Sequence, residues 1–85
     1  MTYHLILGVY ANGHYISHVV RGKDLEAHIQ YNKTHRPGLL LYVDGQRVYN
    51  GVIKEEALHK YDKVAEAFYA RYDIAMSSHV QGEIN

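Results

Sequence analysis

The chain contains no cysteine, which excludes disulfides, thiolate metal sites and a thiol nucleophile. No stretch approaches the roughly 20 apolar residues that a helix needs to cross a bilayer. The N-terminus shows neither the basic region nor the cleavage site of a signal peptide. Together these absences predict a soluble, cytoplasmic protein. Lys and Arg balance Asp and Glu, so the formal net charge is zero. A generic polyanion binder, which needs surplus cations to neutralise phosphates, is therefore disfavoured.

Signals of catalysis and metal binding are equally scarce. No glycine-rich loop of the phosphate-cradling kind occurs, since Gly8, Gly13 and Gly22 fall at strand and turn positions. Ser17 lies near His14 and His18, yet it lacks the Gly-x-Ser-x-Gly elbow, and adjacent strand residues point apart. Asp62 and Glu66 share a helix face, but that face reads as the solvated one. His14 and His18 stand about 13 Å apart along one strand face, too far to share an ion. His28 and His35 are separated by two helical turns, roughly 10 Å. These histidines read as structural, His18 on the core face of its strand and His28 on the inner side of its helix. The expectation is no catalytic residue, no metal and no cofactor.

What is present is a repeated pattern. Asn12-Gly13 lies between apolar runs over residues 5–11 and 14–20, and Asp44-Gly45 lies between residues 39–43 and 46–49. Each dipeptide can supply the two positive φ angles of a type I′ hairpin turn. A two-residue loop at Asn12-Gly13 sets Tyr10 opposite Tyr15 and Val9 opposite Ile16. A similar loop at Asp44-Gly45 sets Tyr42 opposite Arg47 and Leu40 opposite Tyr49. On this register Tyr3, Leu5, Leu7, Val9, Ile16, His18 and Val20 share one face, with Leu39, Leu41, Val43, Val48 and Val52 on the matching face of the second hairpin. These aliphatic faces are the predicted core.

A helix is expected from Lys23-Asp24 to about Thr34, with Leu25, His28, Ile29 and Asn32 on one side and Arg36-Pro37-Gly38 ending it. A second starts near Lys54, where Ala57, Tyr61, Val64, Phe68 and Tyr72 recur at helical spacing. The predicted order is ββαββα: an α+β fold with a four-stranded antiparallel sheet and both helices packed on one face. At 85 residues it forms one domain, drawn over residues 1–76, with residues 77–85 read as a loose tail.

The run Tyr31-Asn32-Lys33-Thr34-His35-Arg36-Pro37-Gly38, with Leu41-Tyr42-Val43-Asp44-Gly45 and Val48-Tyr49-Asn50-Gly51, resembles a segment of small uncharacterised proteins encoded by actinobacteriophages. The resemblance lies in turn and strand residues. It implies a phage origin, hence host cytoplasm, and small phage proteins of that kind commonly act by binding a host component.

Two surfaces follow from the expected register. Tyr10, Tyr15, Tyr42, Arg47 and Tyr49 fall on the outward sheet face, where tyrosine and arginine suit a protein partner. A base-stacking platform for nucleic acid is the alternative, supported by only Arg21 and Arg47 on that face. The second helix spans roughly 33 Å to Ala75 against about 23 Å for a seven-residue strand. Its surplus apolar band, with Leu58, Tyr69, Tyr72 and Met76, predicts a homodimer interface. The sequence thus predicts a small non-enzymatic protein-binding module acting as a homodimer, with a nucleic-acid-binding module as the alternative.

Overall fold

A computed structural model of the protein describes the side chains of residues 2–52 and 54–71. The elements are β1 (Tyr3–Tyr10), β2 (Tyr15–Arg21), a 3-10 turn (Gly22–Asp24), α1 (Leu25–His35), β3 (Leu39–Val43), β4 (Gln46–Asn50) and α2 (Glu55–Ile84). The fold is α+β, ordered ββαββα, with one antiparallel sheet of strand order β2-β1-β3-β4. The division into a domain at 1–76 and a tail at 77–85 turns on side chains outside the described residues.

The second hairpin turns as its sequence predicts. Asp44 and Gly45 take φ angles of 50° and 92°, the two left-handed positions of a type I′ turn. Asp44 also ties this turn to β1. Its Oδ1 accepts the Leu5 N–H at 3.0 Å, its N–H donates to the Leu5 C=O, and its Oδ2 lies 2.6 Å from His4 Nδ1.

The first hairpin departs from expectation. Gly13 has φ 91° while Asn12 stays out of the positive region. The Gly13 N–H donates to the Tyr10 C=O, and the Tyr10 N–H donates to the His14 C=O. The loop is therefore three residues, Ala11 to Gly13, a turn closed by one left-handed glycine. Asn-Gly suits this loop as well as the two-residue one. Val9 consequently pairs with Tyr15, Gly8 with Ile16 and Ile6 with His18. A slip of one residue sends every β2 side chain to the other face.

A bulge alters β4 in the same way. Tyr42 pairs with Arg47, but Leu41 pairs with Tyr49 and Leu40 with Asn50. Val48 is the extra residue, exposed, and Tyr49 turns away from the face it was expected to share with Tyr42.

Both sheet faces are apolar, and the two shifts bring Ile16, Val20 and Tyr49 onto the face that holds Ile6, Leu39 and Leu41. Leu5, Leu7, Val9, Leu40 and Tyr42 pack beneath Tyr61, Ala65 and Phe68 of α2. Ile6, Val20, Leu39 and Leu41 pack with Ile16, Val43 and Tyr49 beneath Leu25 and Ile29 of α1. The helices therefore lie on opposite faces, and the expectation that both cover one face is corrected. β1 and β3 are apolar at successive positions, and such strands bury both sides.

Candidate functional site

The structure separates the five residues expected to form one outward patch. Tyr15, Tyr42 and Arg47 project on the α2 side of the sheet, and Tyr10 and Tyr49 on the α1 side. The Tyr49 hydroxyl donates to the Pro37 C=O at 3.1 Å, with Lys33 Nζ 5.5 Å from its ring centroid. Tyr15 meets Phe68 edge to face, centroids 5.6 Å apart, yet is 49% exposed.

Tyr42 is buried under α2, where its hydroxyl donates to Asp62 Oδ1 at 2.6 Å. Arg47 Nη1 donates to both Asp62 oxygens at 2.7 Å. The Tyr42–Arg47 cross-strand pair was legible, but its third member was not. Asp62 lies on a helix after both strands, and only packing shows that α2 crosses above this pair. The Tyr42 hydrogen bond and the Arg47 guanidinium hold the Asp62 carboxyl below its ordinary value, against some opposing desolvation. Burial, reinforced by Asp62, raises the Tyr42 phenol well above its own. A charged carboxylate so tied is a cross-brace between sheet and helix. The adjoining groove, about 790 Å³, is lined by Gln46, Arg47, Asp62, Glu66 and Tyr69.

Of the residues expected at a dimer interface, Leu58 and Tyr69 pack against the protein's own core. The Tyr69 hydroxyl donates to the Leu5 C=O at 2.9 Å, and burial pushes its phenol up to about 12. Tyr72 and Met76 lie outside the described residues.

A pH dependence follows from the two buried phenols. Tyrosine ionises near 10 in an unfolded chain, so a raised folded-state pKa stabilises the protein fully below that pH. The contribution falls as pH rises through the folded value. Tyr69 alone is expected to withdraw roughly 2 kcal/mol between pH 10 and 12, and Tyr42 adds to the loss. Urea midpoints from pH 8 to 12 should fall steeply above pH 10. Tyr69→Phe, less stable below pH 10 because it loses the hydrogen bond to Leu5, should give a shallower fall, and a flat profile would contradict the burial of both phenols.

A second cleft of about 390 Å³ lies on the α1 side, lined by His18, His28, Tyr31, Asn32 and Arg36. Asn32, a buried polar residue, donates from Nδ2 to the His28 C=O and accepts Arg36 Nη1 at Oδ1. Tyr31 and His35 stack with centroids 4.2 Å apart. His28 is half-buried, as its place on the helix implied, but His18 is exposed rather than interior, because β2 is an edge strand. Among the described residues no group of three or more His, Asp or Glu side chains is placed to hold a metal ion. Nor is any helix among them long and apolar enough to cross a membrane.

The feature that sequence reasoning missed is a strip along β2. α2 covers β1 and β3 but leaves the outer part of that face open. There Tyr3, Tyr15 and Val19 are 37%, 49% and 48% exposed, with Ser17 between the last two and Arg21 paired to Tyr3. Exposed large apolar side chains in a row mark a contact surface more often than isolated ones do. Strand alternation already groups Tyr15 with Val19; the correct hairpin register adds Tyr3 to their face, but only the strand order shows that β2 is an edge. No protein-family model, no curated protein and no solved structure matches the chain.

Proposed function

We propose that the protein is a small non-enzymatic protein-binding module, a phage accessory factor that acts on a host component in the host cytoplasm. Its contact surface is the strip of Tyr3, Tyr15 and Val19, with Arg21 at the rim. The exposure of these three side chains on the uncovered border of the sheet carries the reading. Tyrosine and arginine are the residue types that dominate interface energetics. A protein fits this strip better than a nucleic acid because Arg47 is already engaged by Asp62 and the chain carries no surplus positive charge.

Capture from an actinobacterial lysate tests the reading. Binding should survive nuclease and weaken about tenfold or more in Tyr15→Ser/Val19→Ser, the scale of losing central anchors. Capture abolished by nuclease would favour the nucleic-acid alternative, and capture indifferent to the double substitution would remove the strip.

A further inference from the structure

We propose that one partner is a second copy of this chain, joined through β2 so that two four-stranded sheets become one eight-stranded sheet. The proposal rests on reading the β2 border as the contact region, and it names the occupant.

The orientation of the free backbone groups follows from the observed hydrogen bonds. Tyr10 donates to His14, and Gly22 donates to the Thr2 C=O at 2.8 Å, so even-numbered residues of this hairpin bond across it. Leu5, the partner of Val19, instead directs its N–H and C=O to Asp44 on the far side of β1. Tyr15, Ser17, Val19 and Arg21 therefore turn both backbone groups outward from the sheet. Such an edge is a template for another strand.

Apart from Arg21 at its end, β2 lacks the usual protections. Tyr15–Arg21 is seven residues long, without proline, lysine or acid, and its pairing with β1 is regular throughout. The opposite edge differs: β4 is five residues, and the bulge at Val48 interrupts its ladder. A chain with zero net charge also opposes self-association little.

The sequence of β2 is self-complementary when two copies run antiparallel about a two-fold axis at His18. In that register Tyr15 lies opposite Arg21 of the second copy, and Ser17 lies opposite Val19. All four outward residues then fall at hydrogen-bonded positions, giving about eight N–H···O=C bonds. On the α2 side, the Tyr15 ring receives the other copy's guanidinium, a favourable cation–π pairing. On the α1 side, Ile16 meets Val20 and extends the Ile6, Val20 and Leu41 layer across the junction. No like-charged Arg, Lys, Asp or Glu side chains face each other. The two strips of Tyr3, Tyr15 and Val19 join into one surface on the α2 side of the combined sheet.

The absence of native cysteine makes the register directly testable. At the axis, the two copies of residue 18 form a non-hydrogen-bonded pair about 4.5 Å apart at Cα, within disulfide range. His18→Cys should give a disulfide-linked dimer under mild oxidation, while Val48→Cys, exposed on the other edge, stays at background. The unmodified protein should sediment at twice the chain mass at tens of micromolar. Val19→Pro removes an outward N–H that the β1–β2 ladder does not use, which an edge strand tolerates. That variant should keep its circular dichroism spectrum and sediment as a monomer, with Ser17→Pro as the second variant should it not fold. A monomeric unmodified protein would overturn the proposal. So would His18→Cys cross-linking no faster than Val48→Cys, or a dimer that persists in a folded proline variant. Any of these results, with lysate capture still lost in Tyr15→Ser/Val19→Ser, would reject the self-pairing and retain the protein-binding strip.

Discussion

Gly51→Ala is expected to unfold most of the protein or leave it barely stable, with a loss of about 3 kcal/mol or more. A Cβ at this position would overlap the carbonyl oxygens of Pro37 and Leu39. Both are backbone atoms, so no side-chain rotation relieves the clash. Moving the chain aside would also break the hydrogen bond from the Gly51 N–H to the Leu39 C=O, 2.9 Å long, which ties the end of β4 to the start of β3. Small domains have total stabilities of only about 5–15 kcal/mol, so this one methyl group removes a large share. Gly38→Ala is the control: no atom lies within 4 Å of its added Cβ, and its melting temperature should stay close to that of the parent. Thermal melts followed by circular dichroism compare the two. Equal stability of the two variants would contradict the close approach at Gly51.

Leu40→Ala and Leu41→Ala are each expected to cost about 2–5 kcal/mol, the range for truncating an enclosed leucine. The pair tests the layering of the molecule, because adjacent strand residues point to opposite faces of a sheet. Both side chains are fully buried, Leu40 beneath α2 and Leu41 in the layer beneath α1. With both helices on one face, one leucine would be exposed and its truncation nearly free. Urea unfolding of both variants therefore decides between two layers and three. A loss below about 1 kcal/mol at either position would return the structure to two layers.

Much of this architecture was legible residue by residue. Asp44-Gly45 specified its turn because its φ requirements and its flanking strands agree with one loop length. Arg36-Pro37-Gly38 ended α1 as expected, at His35. Asn12-Gly13 was ambiguous, since the same dipeptide closes a two-residue loop or the end of a three-residue one, and the outcome reverses the faces of β2. The continuous apolar runs over residues 5–9 and 39–43 carried the missing signal, because strands without alternation are strands buried on both sides. The candidate site was less legible for the same reason. Tyr42 and Arg47 are cross-strand neighbours readable from one hairpin, whereas Asp62 reaches them from a helix, and the strip at Tyr3, Tyr15 and Val19 exists only because β2 is an edge.

The sequence by itself determined the order of elements, the place of both turns and the presence of two amphipathic helices, since each depends on neighbours within a few residues. Tertiary structure alone decided which faces are buried, which strand is left at the edge and which polar groups meet. Those outcomes depend on pairing β1 with β3 and on placing α1 and α2 on opposite sides of the sheet. Local propensity changes little across these alternatives, while the burial of Ile6, Val20, Leu39 and Leu41 beneath α1 strongly separates them.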